Sequence, residues 1–196
     1  ADDEATLKIR EAYKKHMTKM FELAGFSQDE ALKASKAAYQ IEALLAESFL
    51  SPVELRDPHA NYNITTRADL ASTYPAIDWD VLFTNLGLAE LQSIDLGQPR
   101  AMARVNQLLE EQPLEAHKAY LQWNVIHTAA AYLSDDFTHQ NFEFFGKVMS
   151  GVEKMQPRWK RAVSTVNEAL GEAVGQMYVD KHFPQAAKDR MVTLVK

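Results

Sequence analysis

The clearest candidate for metal chemistry is a stripe of carboxylate and imidazole side chains at helical spacing. Asp135, His139 and Glu143 follow one another at intervals of four residues, which places all three on one face of a helix. Carboxylate oxygens and imidazole nitrogens both bind divalent metals. One alternative is therefore a small metal enzyme, which predicts a bound metal that is lost in a His139→Ala variant. Asp135 also has a simpler role, because a carboxylate stabilises the first turn of a helix.

The second candidate is a basic cluster formed by Arg158, Lys160 and Arg161. Pro157 predicts the start of a helix just before them, so the three cations lie in its first turn. Positive charge is unfavourable there, because the helix dipole is positive at that end. An acidic group should therefore meet the cluster. We expect an internal carboxylate such as Glu153, with a substrate carboxylate as the alternative.

Complete catalytic motifs are missing from the sequence. It contains neither a His-Glu-x-x-His helix motif nor a Gly-x-Ser-x-Gly elbow, and it has no cysteine for a thiol nucleophile or a sulfur-ligated metal. Gly171 and Gly175 lie within a helical pattern instead of a phosphate-binding loop, and we interpret them as a place where another helix backbone passes close. The residues alone thus predict a domain without a self-sufficient active site.

The elements that position these residues are predicted to be helices. Gly25 ends a first helix, and Ser27 with Glu30 forms a capping box that starts a second, so the two should pair as a hairpin. Proline and turn residues break the region 51–100 into a loop-rich insert, in which 88–95 is the one candidate strand. We predict an all-α, multi-helical domain of seven to nine helices with at most one minor strand.

Two helical segments in the second half carry apolar residues at three- and four-residue spacing, which predicts their inner faces. The segment 114–133 is followed by a helix over 135–151 and by a longer one after Pro157. The predicted inner face of the first segment consists of Leu114, Leu121, Val125, Thr128 and Tyr132, and that of the last consists of Trp159, Val163, Val166, Leu170, Val174 and Met177.

Composition narrows the class of protein further. The 196 residues include 21 Lys and Arg against 27 Asp and Glu, and a net charge of −6 argues against a nucleic-acid or anionic-membrane binder. A hydrophobic share of 46% is typical of a globular protein. No apolar run reaches the ~18 residues that a membrane helix needs. We therefore expect neither a nucleic-acid partner nor a membrane segment within this chain.

A series of local motifs resembles the N-terminal region of the neprilysin-type zinc metallopeptidases, a family that includes endothelin-converting enzymes and oligopeptidase O. The motifs follow the family's order over nearly the whole chain. They are Arg56-Asp57-Pro58 with Tyr62-Asn63, Ile77-Asp78-Trp79-Asp80, Tyr120-Leu121-Gln122-Trp123, Asn141 to Gly146, Pro157 to Arg161, Val166-Asn167, Leu170 to Gly175, Tyr178-Val179 and Phe183-Pro184.

The resemblance implies a helical lid, residues 1–196, that belongs to a larger peptidase and encloses a cavity limiting substrates to peptides. The family's zinc is held by His-Glu-x-x-His and a later Glu-x-x-x-Asp, and neither motif occurs here. The chain alone is thus predicted to be inactive and without a cofactor, while the parent is a zinc metalloendopeptidase. Its partners are the parent's own catalytic domain and peptide substrates. Arg158, Lys160 and Arg161 become candidates for the cavity wall or an interface.

Two further expectations follow from the resemblance to this family. A cysteine count of 0 favours a bacterial relative, because vertebrate members of the family use cysteines widely, but it leaves the redox compartment open. For such a relative we expect a periplasmic or extracytoplasmic location, with a cytoplasmic one as the alternative. The alternative to a lid is a free-standing helical binding module without enzymatic activity. That alternative predicts a coding frame that stops near Lys196 and an exposed apolar patch.

Overall fold

The computed structural model describes residues 3–195, and within them the fold is all-α. There are ten α-helices, one more than the upper end of the predicted range, and two strands of three residues each. The chain divides into two compact units after Gly151; the expectation of a single domain stays a prediction. The helices are α1 (Glu4–Leu23), α2 (Gln28–Ala46), α3 (Arg67–Thr73), α4 (Trp79–Asn85), α5 (Pro99–Glu111), α6 (Leu114–Ala129), α7 (Asp135–Asn141), α8 (Arg158–Ala169), α9 (Gly171–His182) and α10 (Gln185–Val195).

The first two helices form the predicted hairpin. Asp3 caps α1 by accepting a hydrogen bond from the Thr6 backbone N–H at 2.8 Å. Gly25 has a φ of 96°, a left-handed conformation that glycine adopts without strain. Ser27 and Glu30 form the capping box that opens α2, so the connection is short and α1 packs directly against α2.

The main core of the first unit lies where α1, α2 and α6 meet. Met17, Met20 and Phe21 of α1 are fully buried there, together with Trp123 of α6. Small residues line the contact between α2 and α6, including Ala31 and Ala38 on α2. Because alanine lets two helix backbones approach closely, the bulky Trp123 becomes the main space-filling side chain of this contact.

The predicted inner face of α6 is wrong. The structure buries the opposite side of the helix, where Ala116, Ala119, Trp123 and Ile126 are 1–9% exposed. Both sides of α6 are apolar at helical spacing, so spacing alone could not distinguish them. The small residues decide the outcome, because they fit against α2. The predicted face is exposed, with Leu114, Leu121, Val125 and Tyr132 at 62–68%.

The loop-rich insert contains two strands instead of one at most. β1 (Ile64–Thr66) pairs antiparallel with β2 (Ser93–Asp95), in a register that places Thr65 opposite Ile94. The candidate segment 88–95 did contain a strand, but the sequence did not reveal its three-residue partner in the turn-rich loop. The insert has its own small core, formed by Leu70, Tyr74, Trp79, Phe83 and Leu96.

The helix predicted over 135–151 changes type midway. α7 ends at Asn141, and a π-helix follows over Phe142–Met149. Gly146 is required there, because a Cβ at this position would overlap the ring of Phe142. Phe144 is the buried residue of this π-helix and is 5% exposed. Gly151, with a φ of 64°, follows the π-helix as a left-handed residue.

The second unit consists of α8, α9 and α10. The single long helix predicted after Pro157 is broken at Leu170, which leaves helical geometry with φ −126° and ψ 29°. None of the residues 152–195 is buried, and the predicted inner face of α8 is open, with Trp159 64% exposed. The close approach predicted at Gly171 and Gly175 is also wrong, since a Cβ at either position would meet nothing within 4 Å.

Candidate functional site

The proposed metal stripe does not assemble into a ligand set. Asp135 opens α7, His139 lies in its last turn, and Glu143 belongs to the π-helix, where it forms a 2.6 Å ion pair with Lys147. The α-helical spacing that the prediction assumed therefore ends at Asn141. Within residues 3–195, no group of three or more His, Asp and Glu side chains is placed to hold a metal ion.

The basic cluster lies in the first turn of α8, as predicted, but it lacks the expected acidic partner. No ion pair joins Arg158, Lys160 or Arg161 to a carboxylate of the described chain, Glu153 included. The ammonium of Lys160 lies 5.5 Å from the centre of the Trp159 ring. The Nε of Arg161 is covered and has no hydrogen-bond partner among the described residues. All three cations therefore lie in one helical turn without an ion-pair partner among the described residues.

A buried histidine, which the sequence did not single out, lies in an aromatic cluster of the first unit. His16 is 2% exposed, and its ring stacks on Phe144 at 5.1 Å and meets Trp123 and Phe145 edge-on. The amide of Gln140 donates to its Nδ1 at 3.3 Å. Its Nε2 has no hydrogen-bond partner among the described residues. Burial is the main reason that the pKa of His16 falls to about 4, and the nearby His127 lowers it further.

Beside this cluster, Glu42 of α2 accepts hydrogen bonds from two other helices. The Tyr13 hydroxyl donates to its Oε2 at 2.9 Å, and the Trp123 indole N–H donates to its Oε1 at 2.9 Å. Burial and the adjacent carboxylate of Glu42 raise the pKa of Tyr13, so its hydroxyl stays protonated and keeps donating. This network joins α1, α2 and α6 and acts in packing, since the indole that it holds is 1% exposed.

Comparison with known proteins identifies the family. A family model for the N-terminal region of peptidase family M13 matches residues 1–196. Among solved structures, the Mycobacterium tuberculosis zinc metalloprotease Zmp1 in complex with an inhibitor superposes with a TM-score of 0.91 at 31% identity, covering 99% of this chain and 30% of that chain.

The chain belongs to peptidase family M13. The resemblance to the neprilysin-type N-terminal region is confirmed, and Neprilysin-2 of Drosophila melanogaster is 27% identical over 94% of this M13 chain and 26% of its own length. PepO from Lactobacillus rhamnosis shares the fold, with a TM-score of 0.82 at 20% identity over 100% of this chain and 31% of that one. This chain therefore spans about a quarter to a third of these relatives.

Two further findings describe this M13 chain. It corresponds to the N-terminal region of its relatives, and the matched Zmp1 is named a zinc metalloprotease. Within the described residues, no helix is both long and apolar enough to cross a membrane. The residues that carried the family resemblance lie mainly in helices and their caps: Asp78 caps α4, for example, and Trp123 is the centre of the main core.

The buried His16 predicts a pH-dependent stability. Its pKa is about 4 in the fold against 6.5 in the unfolded chain, so the unfolded state binds the proton first as the pH falls. The stabilisation is complete above pH 6.5 and is lost down to about pH 4. We expect the free energy of unfolding, measured in urea, to be about 2 kcal/mol lower at pH 5 than at pH 8 through this group.

A His16→Gln variant should lose that part of the pH dependence, because glutamine does not titrate. His139→Gln is the matched control, since it removes an exposed histidine and keeps the buried imidazole of His16, so the loss of stability from pH 8 to pH 5 should persist. An unaltered profile in the His16→Gln variant would contradict the assignment.

Proposed function

We propose that this chain is the helical lid of a zinc metalloendopeptidase. The observation that supports it most strongly is the match of family M13 over residues 1–196, together with a TM-score of 0.91 to a zinc metalloprotease more than three times as long. The parent protein hydrolyses peptide bonds. Its catalytic domain, with zinc bound through His-Glu-x-x-His and Glu-x-x-x-Asp, lies outside residues 1–196.

In this proposal the chain forms one wall of the parent's cavity, and its contribution is the fixed shape of that wall. No group of three or more His, Asp and Glu side chains in residues 3–195 is placed to hold a metal ion. In this proposal the zinc ligands and the general base come from chain outside residues 1–196. Residues up to Gly151 form a unit with one core around Trp123 and another in the insert. A body with such cores keeps its shape, which is the property needed to close a cavity and restrict entry to peptides.

The first test is the coding sequence beyond Lys196 and the activity of the full-length protein. We expect a continued frame that contains both zinc motifs. The purified protein should contain stoichiometric zinc and cleave a quenched fluorogenic peptide, with activity lost on chelation and restored by zinc. Residues 1–196 alone should neither bind zinc tightly nor cleave the peptide.

Two outcomes would contradict this proposal. A stop codon close to Lys196 would favour the free-standing binding module, and the search would turn to its partner. Stoichiometric zinc or peptide turnover with residues 1–196 alone would place the chemistry within this chain. A His139→Ala variant would then test the Asp135, His139 and Glu143 stripe as the metal site.

We also propose that Arg158, Lys160 and Arg161 line the peptide-binding cavity of the parent and bind a substrate carboxylate. The support is that the three cations are grouped in one helical turn without an acidic partner in the described chain. An arginine can bind a carboxylate through two parallel hydrogen bonds, which makes it suited to this role.

The full-length protein carrying Arg158→Gln and Lys160→Gln should show a kcat/KM about tenfold or more lower for an acidic peptide, since a charged hydrogen bond contributes about 1.5–3 kcal/mol. The loss should lie mainly in KM. A neutral peptide and a Lys181→Gln control, on the exposed surface of α9, should be nearly unaffected. An equal loss for both peptides, or no loss, would contradict a substrate-binding role.

A further inference from the structure

α6 and the turn after it are unusually poor in charge. Residues 119–133 contain no Lys, Arg, Asp or Glu, although such residues make up 24% of the chain. A surface helix normally places charged residues opposite its apolar face. The outer side of this stretch instead carries no charge, with apolar side chains beside a few polar ones such as Asn124 and Thr128, and such a side favours contact with a larger body.

Only one side of α6 is buried within the first unit. Trp123 and Ile126 on that side are 1% and 9% exposed. On the opposite side, a set that we name the outer stripe remains open. The outer stripe consists of Leu114 (66% exposed), Leu121 (62%), Val125 (68%) and Tyr132 (68%).

An apolar groove adjoins the outer stripe. It has a volume of about 230 Å³ and lies between α2, α5 and α6, with walls that include Leu45, Leu109 and Leu121. Leu121 belongs to both features, so groove and stripe form one continuous apolar surface. Leaving such a surface in water is unfavourable in proportion to its apolar area, and contiguous exposed apolar patches often mark interaction sites.

We infer that a segment of the parent polypeptide outside residues 1–196 covers the outer stripe and its groove, with an uncharged apolar helix face of its own. The inference rests on the proposed function, in which the parent is longer than this chain. Relatives of this family are three to four times as long, so they contain additional chain that can supply such a face. The uncharged stretch favours an interior contact over a surface contact between two molecules, because protein–protein interfaces normally end in a polar rim.

Hydroxyl-radical footprinting of the unmodified full-length protein tests the inference directly. Tyr132 should react as slowly as Tyr74, which is 5% exposed, although the fold described here leaves Tyr132 as open as Tyr62 at 66%. Leu121 should likewise match the buried Leu70. Reaction of Tyr132 and Leu121 at the rates of exposed side chains would overturn the inference.

A photo-crosslinking amino acid at position 121 of the full-length protein identifies what covers the stripe. We expect crosslinks within one molecule to peptides outside residues 1–196. Crosslinks confined to residues 1–196, or crosslinks that join two copies, would overturn the inference. The matched control is the same amino acid at position 86, because Leu86 is 61% exposed but is not on α6; it should not give the same crosslinked peptides.

Peptidase activity measured on the same preparation separates this inference from the proposed function. An active zinc peptidase with an exposed outer stripe would refute the inference alone. A protected stripe crosslinked to chain outside residues 1–196, in a protein that cleaves no peptide, would refute the proposed function alone.

Discussion

The main core of the first unit depends on the packing of Trp123 against α1 and α2. Its indole is 1% exposed and fills the space that the alanines of the α2–α6 contact leave open. Burying the ring requires an acceptor for its N–H, and Glu42 provides one at 2.9 Å. The same carboxylate accepts the Tyr13 hydroxyl, so one side chain of α2 satisfies polar groups from both neighbouring helices. The order of the aromatic cluster around His16 follows, because Trp123 forms one of its walls.

In the proposed function, this arrangement gives residues 3–195, which hold no group of side chains placed to bind a metal, the fixed shape that a lid requires. A unit whose three central helices are joined by buried aromatic packing presents its outer surfaces in fixed positions. Two surfaces enter the proposals, namely the uncharged outer stripe of α6 in the first unit and the basic turn at the start of α8 in the second unit. The side chains of the outer stripe are exposed in the described chain. The cations of the basic turn form no ion pair with a described carboxylate.

Local signals predicted the elements well, whereas burial could be predicted only in part. The capping box at Ser27 and the glycine at position 25 marked true boundaries of the first two helices, because capping depends on residues within one turn. The buried side of α6 was missed because both of its sides are apolar, and only contact with α2 decides between them. The π-helix and the role of Glu42 also depend on distant partners, so spacing along the chain could not reveal them.

The most direct test of this account is the stability of a Glu42→Ala variant. Removing the carboxylate leaves the Tyr13 hydroxyl without its acceptor and leaves the Trp123 N–H only the Tyr13 oxygen, at 3.2 Å. This should lower the free energy of unfolding by about 2 kcal/mol. Glu47→Ala is the matched control, because Glu47 forms only an exposed ion pair with Arg104 and should cost less than about 1 kcal/mol. Equal effects of the two substitutions in urea unfolding would contradict a fold organised around Trp123.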